Sequence, residues 1–181
     1  MSYYRAHRIA FEQLPFAFLT IVIESLAGGI LYSVHHQLTQ TAYLLFILPP
    51  IINLAGEAGC IYAARLSTRL HLGLVAPRIK HAFHLREAGL VTASATVCAT
   101  ALVIVGAPNF IATTPLLILL LAPYTAIYIT LVAMILLAGL VSILAFLRGL
   151  DPDNVSIPVI TTLADLVGAS AILLTAFLLL S

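Results

Sequence analysis

Charge is scarce in this sequence. Only 8% of its 181 residues are charged, against 62% hydrophobic, and the mean hydropathy is +1.13. No soluble domain of this length can hide so much apolar surface, which leaves an all-α polytopic membrane protein in contact with a lipid bilayer. The net charge of +1 lacks the basic excess that nucleic-acid binding needs, so no nucleic-acid role follows. Cysteine is scarce too. Cys60 and Cys98 fall in separate apolar segments without metal-type spacing and read as free, buried thiols. There is no Ser-His-Asp order, no glycine-rich phosphate loop and no cysteine-rich metal motif. No constellation for a membrane enzyme is evident either, so the chain reads as a non-enzyme. The first apolar run is long and others follow it, which predicts a retained helix rather than a cleavable signal peptide.

Five apolar spans are predicted. Residues 1–13 hold Tyr3, Tyr4, Arg5, His7, Arg8, Phe11 and Glu12, a mixture suited to a cytoplasmic or interfacial segment. Residues 14–181 form the membrane domain. Span 1 runs from Leu14 to Val34 with Glu24 near its middle, and His35, His36 and Gln37 make a polar exit. Span 2, Thr41 to Leu70, is about 45 Å long as a helix, more than a core of about 30 Å needs. Pro49-Pro50, followed by Gly56 and Gly59, predicts a break there. Asn53 and Glu57, four apart, share a face near it. Span 3 runs from Arg86 to Val105, with Pro108 and Pro115 framing the turn after it. Span 4, Leu116 to Leu147, carries Pro123 as a kink, and span 5 runs from Ser156 to Leu180.

The charges test this count. Arg5, Arg8, Arg65, Arg69, Arg78, Lys80, Arg86 and Arg148 are all the basic residues, and alternation through five spans puts every one on the same side. The opposite loops, 35–40 and 106–115, have none. The positive-inside rule then places the N-terminus in the cytoplasm and the C-terminus outside, in a multi-pass protein of the cell membrane. Splitting span 4 into two would spoil the pattern. Tyr32, Tyr43, Tyr124 and Tyr128 fall toward the outer side, as an aromatic belt would.

Three carboxylates, Glu24, Glu57 and Asp165, lie at membrane depth with no Lys or Arg at that depth to pair with them. Such acids are protonated, hydrogen-bonded or cation-binding. A single one has an equally good structural reading; three beside proline and glycine breaks favour a cation. Thr161 and Thr162, four and three residues before Asp165, and the Asn154 carbonyl freed by Pro158 make an oxygen-rich face. Oxygen donors suit Mg²⁺, Ca²⁺ or Mn²⁺, and Mg²⁺ needs only one or two carboxylates because it keeps its water. Asp153, Asn154 and Ser156 also read as a helix start, a reading that does not reach Asp165. The histidines His35, His36, His71, His81 and His84 read as polar loop residues.

Two stretches carry a family resemblance. The segment Phe46-Ile-Leu-Pro-Pro-Ile-Ile-Asn-Leu-Ala-Gly56-Glu-Ala-Gly through Ala64-Arg-Leu-Ser-Thr68 resembles a helix motif of the MgtE magnesium channels and the related solute-carrier 41 transporters. Asp151-Pro-Asp-Asn, with Thr161-Thr-Leu-Ala-Asp165-Leu-Val-Gly168 after it, resembles the last-helix motif of that family. Arg86-Glu87-Ala-Gly89 is similar to its short charged motif. The resemblance implies five helices per subunit and a dimer whose second and fifth helices line one path for a divalent cation, Mg²⁺ first. It implies Asp165 as the path aspartate and Asp151 and Glu87 as acids near the cytoplasmic side. Asn53, Glu57, Thr161 and Thr162 complete the candidate metal set, with Glu24 as a coupling or path residue.

Three departures shape the expectation. Glu57 stands where the family usually has Asn, Glu24 belongs to no family motif, and the large cytoplasmic regulatory domains have no counterpart in this sequence. A more acidic path leaves open an H⁺- or Na⁺-coupled divalent cation carrier. A heterodimer with a paralogous subunit, and a non-transporting subunit of a hetero-complex, are the other readings.

Overall fold

The structure is a computed structural model that describes residues 6–33, 42–78 and 82–180. The expected polar exit at His35, His36 and Gln37, the loop residues Lys80 and His81, and residues 1–5 lie outside these. The described residues form five helices: α1 (Ala6–Ser33), α2 (Ala42–His71), α3 (Ala82–Phe110), α4 (Leu116–Leu147) and α5 (Pro152–Leu180). Four of them, α2 to α5, are long and apolar enough to cross a membrane; in α1 the apolar stretch is Ala17–Gly29. The exposed surface is rich in Leu, Ile, Val and Phe, such as Phe18, Val97, Leu136 and Phe177, as a lipid-facing surface is.

Proline does not interrupt these helices. Span 2 was expected to break at Pro49-Pro50, but α2 runs unbroken through both. Proline φ is already helical, and only the bonds from residues 49 and 50 to the carbonyls of Leu45 and Phe46 are lost, so the ladder resumes on either side. Pro108 likewise lies inside α3 rather than in the turn, whereas Pro115 caps α4 with an extended ψ of 138°. The long fourth span is one helix with Pro123 inside it. Helix α5 starts before the expected Ser156. Asp151 Oδ1 accepts the backbone N–H of Asp153 at 3.1 Å and the Asp151 carbonyl accepts that of Asn154 at 3.1 Å, so Asp151, not Asp153, closes the first turn.

α5 packs on α1, α2 and α4, α2 also packs on α3 and α4, and α4 on α3, so the centre is α4 with the pair α2 and α5. Small residues let them approach closely. A Cβ on Gly59 would stand 2.7 Å from Ile160 Cγ2, and one on Gly168 would stand 2.6 Å from Ile52 Cγ1. These contacts set an antiparallel register that brings Asp165 level with the Ala55–Gly56 turn of α2. α4 closes the core with Leu119, Ile127, Leu131 and Met134, all fully or almost fully buried.

The aromatic belt needs correction. Tyr32 is exposed, but Tyr43 is fully buried and its hydroxyl donates to the Leu119 carbonyl at 2.8 Å. Tyr124 and Tyr128 hydrogen-bond to Thr100 and Thr96 of α3 at 3.0 and 2.9 Å, which ties α3 to α4.

Gly59→Val should force α2 off α5 and lower stability by about 1–3 kcal/mol, the usual cost of overpacking. Gly89→Ala, where nothing lies within 4 Å, should be tolerated. Loss of the monodisperse chromatographic peak on heating in detergent measures both.

Candidate cation path between the second and fifth helices

Asn53, Glu57 and Cys60 recur at helical spacing along one face of α2, and Thr161 and Asp165 do so on α5. The two faces enclose a groove of about 440 Å³, lined also by Pro49, Ile52, Gly56 and Ala164 and by no Lys or Arg. Asn53 Nδ2 donates to Glu57 Oε1 at 3.1 Å. That bond fixes the carboxylate beside the amide and leaves the Asn53 carbonyl oxygen and the second Glu57 oxygen as acceptors. Asn53, Glu57 and Thr161 are exposed on the protein surface, and Asp165 is half-buried. The Thr161 hydroxyl lies 3.1 and 3.0 Å from the carbonyls of Ile157 and Pro158, so its proton is used within α5 and its lone pairs face outward.

Thr162 departs from the oxygen-rich face expected of it. Its side chain is buried and turned toward α1, with Oγ1 2.9 Å from the Pro158 carbonyl and 3.5 Å from Glu24 Oε1. Adjacent residues of a helix point about 100° apart, which a count of three and four residues conceals. The same turn brings Glu24 within Coulombic reach of Asp165. Asp165 thus shares the groove with Glu57 of α2, while its neighbour Thr162 meets Glu24 of α1.

Two other candidates are elsewhere. Glu87 is buried and paired with Arg65, Nη1 to Oε2 at 2.6 Å, and does not line the groove. Asp151 caps α5 and does not line it either. Near this end, His84 accepts the Tyr62 hydroxyl at Nδ1 and donates from Nε2 to the Arg78 carbonyl at 3.0 Å, a tautomer dictated by the carbonyl.

Cysteine was misread. Both thiols are free, but Cys60 is half-buried in the groove wall and Cys98 is exposed. The spacing of Cys60, three residues after Glu57, was the available signal. Cys98 lines a second groove of about 390 Å³ between α2 and α3, which Glu57 also borders but Asp165 does not. Among the described residues, no three His, Cys, Asp or Glu side chains converge closely enough to hold a metal ion.

Four long apolar helices, α2 to α5, define a multi-pass membrane protein, and α2 and α5 bound a groove that holds the carboxylates of Glu57 and Asp165. The family model MgtE, described as a divalent cation transporter, matches residues 48–175, and the chain belongs to that family. No curated protein and no solved structure matches. The matched stretch holds Asn53, Glu57, Glu87, Asp151, Thr161, Thr162 and Asp165; Glu24 lies outside it. The family is one of transporters, so the chain's class is divalent cation transport.

The Arg65–Glu87 pair is lopsided, since the Arg65 side chain is 52% exposed and that of Glu87 only 6%. Arg65→Gln leaves a buried acid without its partner and should cost about 1–3 kcal/mol. Glu87→Gln leaves an arginine that water can solvate and should cost less. Heating both variants in detergent compares them; equal losses would contradict the asymmetry.

Proposed function

We propose that the chain carries a divalent cation, Mg²⁺ first, through a path lined by α2 and α5 and completed by a second copy of the chain. Asp165 is the central ligand; Glu57, Asn53 and Thr161 shape the path beside it. The observation that carries this reading is the meeting of Asn53, Glu57, Thr161 and Asp165 in one groove without a basic residue. Mg²⁺ retains several waters, so one or two carboxylates hold it without a closed cage. That chemistry agrees with the lack of a three-residue metal cluster among the described residues of one chain.

The exposure of the acids supports the second copy. Carboxylates at hydrocarbon depth face a protein interior or a water-filled cavity, not lipid. Glu24 and Glu57 are both exposed on the single chain. A dimer axis beside α5 covers them and doubles Asp165. The clustering of all basic residues toward one side orients the N-terminus to the cytoplasm. In this arrangement Asp151 and Glu87 belong to the cytoplasmic end and act on structure there, through the α5 cap and the Arg65 pair.

A coupled carrier is the second reading, favoured by the approach of Glu24 to Thr162 and Asp165. Flux that follows an imposed H⁺ or Na⁺ gradient supports it, and flux indifferent to both gradients supports a channel.

Uptake of Mg²⁺ into proteoliposomes tests the main proposal. Asp165→Ala should reduce flux at least tenfold, on the order of one lost charge-assisted contact of about 1.5–3 kcal/mol. Glu57→Asn should keep transport with altered ion preference. Undiminished uptake by Asp165→Ala would sink the proposal.

A further inference from the structure

The groove between α2 and α3 does not reach Asp165 and lies outside the proposed path, yet it combines an apolar slot with basic charge at one end. Ile61 of α2 and Leu90 and Val91 of α3 form apolar walls, which Leu54 and Ala95 continue. Each wall carries an arginine at the same end. Arg65 follows Ile61 by one turn, and Arg86 precedes Leu90 by one turn on the stripe Arg86, Leu90, Ser94 and Cys98. Arg65 is bonded to Glu87, but its side chain is 52% exposed and its guanidinium has further N–H donors outside that bond. Arg86 is exposed, and its guanidinium makes no ion pair or hydrogen bond among the described residues. From Arg65 to Leu54 the helix rises about 16 Å, one leaflet of a hydrocarbon core of about 30 Å. Spread over that length, about 390 Å³ is a slot much narrower than a helix about 10 Å across, so it suits an acyl chain and not a helix of a second copy.

We infer that this groove holds one anionic phospholipid of the cytoplasmic leaflet, with its phosphate at Arg65 and Arg86 and one acyl chain along Ile61, Leu90 and Val91. The leaflet follows from the orientation proposed above; the slot and its two arginines are independent of transport. A guanidinium meets phosphate oxygens through a planar fork of N–H donors, which gives position as well as charge. The cytoplasmic leaflet is the one that carries anionic lipid, and basic groups at its surface attract it. A zwitterionic phospholipid offers the same chains and the same phosphate, but its own cation offsets the charge. The arginines therefore supply the selectivity and the apolar slot supplies the position. Glu57 borders both grooves, so a chain seated here closes one of the two sides from which its carboxylate is reached and leaves the side toward α5 open.

The sequence has no tryptophan, so Ile61→Trp introduces a single fluorophore on the groove wall, and Leu136→Trp introduces one at an exposed position of α4 outside the groove. The full chain is reconstituted in bilayers of phosphatidylcholine and phosphatidylglycerol, with bromine on the acyl chains of one lipid or the other. Bromine quenches the fluorophore only on contact. Phosphatidylglycerol should quench Ile61→Trp with an apparent affinity at least about fivefold above that of phosphatidylcholine, the scale of one arginine at an anionic surface. Adding Arg86→Ala should remove most of that preference, whereas adding Arg148→Ala, at the exposed C-cap of α4, should leave it in place. Leu136→Trp should show no preference. Leu90→Trp repeats the measurement from α3 if Ile61→Trp does not fold. Equal quenching by the two lipids, a preference that Arg86→Ala leaves unchanged, or the same preference at Leu136→Trp overturns the inference. A groove reporter that neither lipid quenches has protein over it, a second copy included, and overturns it as well. Excess inorganic phosphate should not abolish the preference; if it does, the arginines serve a free anion and the lipid site is wrong. Quenching requires no ion flux, so its outcome is separate from that of Mg²⁺ uptake.

Discussion

A carboxylate at hydrocarbon depth with no basic partner is the constraint on which this structure turns. It costs several kcal/mol or more wherever lipid surrounds it. On the proposed membrane placement Glu24, Glu57 and Asp165 stand in that position, while Arg65, Arg69, Arg86 and Arg148 sit toward helix ends. The acids therefore divide the surface. The faces rich in exposed Leu, Ile, Val and Phe suit lipid. The face shared by α1, α2 and α5 requires water, an ion or another protein surface.

Packing determines how that face is built. Glycine at positions 59 and 168 lets α2 and α5 approach until the facing side chains of Ile160 and Ile52 leave no room for a Cβ. The close approach fixes the register, and the register sets Asp165 opposite the turn between Asn53 and Glu57. Donors are thus held by helices rather than loops, which in the proposed path keeps ligand spacing fixed while ions pass. Mechanism and stability share residues here, so a substitution that opens the α2–α5 contact affects both.

Much of the fold was legible because apolar runs of membrane length leave few alternatives. The fourth span was read to its helix ends. Proline was overread at Pro49-Pro50 and Pro108, because a long helix tolerates the loss of one or two hydrogen bonds. Asn53 and Glu57 were legible as one face, since four residues nearly complete a turn, and the structure links them by a hydrogen bond. Thr161 and Thr162 were not separable by spacing alone; only the packing of α1 shows that one turns to the groove and the other to Glu24. The pairing of Glu87 with Arg65 and the place of Cys60 depend on contacts between helices, which a linear pattern does not encode.

The central claim is that Asp165 holds a divalent cation where two copies of the chain meet. Mn²⁺ is a suitable reporter, because it takes the same oxygen ligands and scatters X-rays anomalously. The direct measurement is an anomalous map of the protein crystallised from membrane-mimetic medium with Mn²⁺. The expected result is a peak between the Asp165 carboxylates of two chains, lost in Asp165→Ala. A well-ordered dimer with Mn²⁺ elsewhere and none near Asp165, or a chain whose Asp165 faces lipid alone, would contradict it.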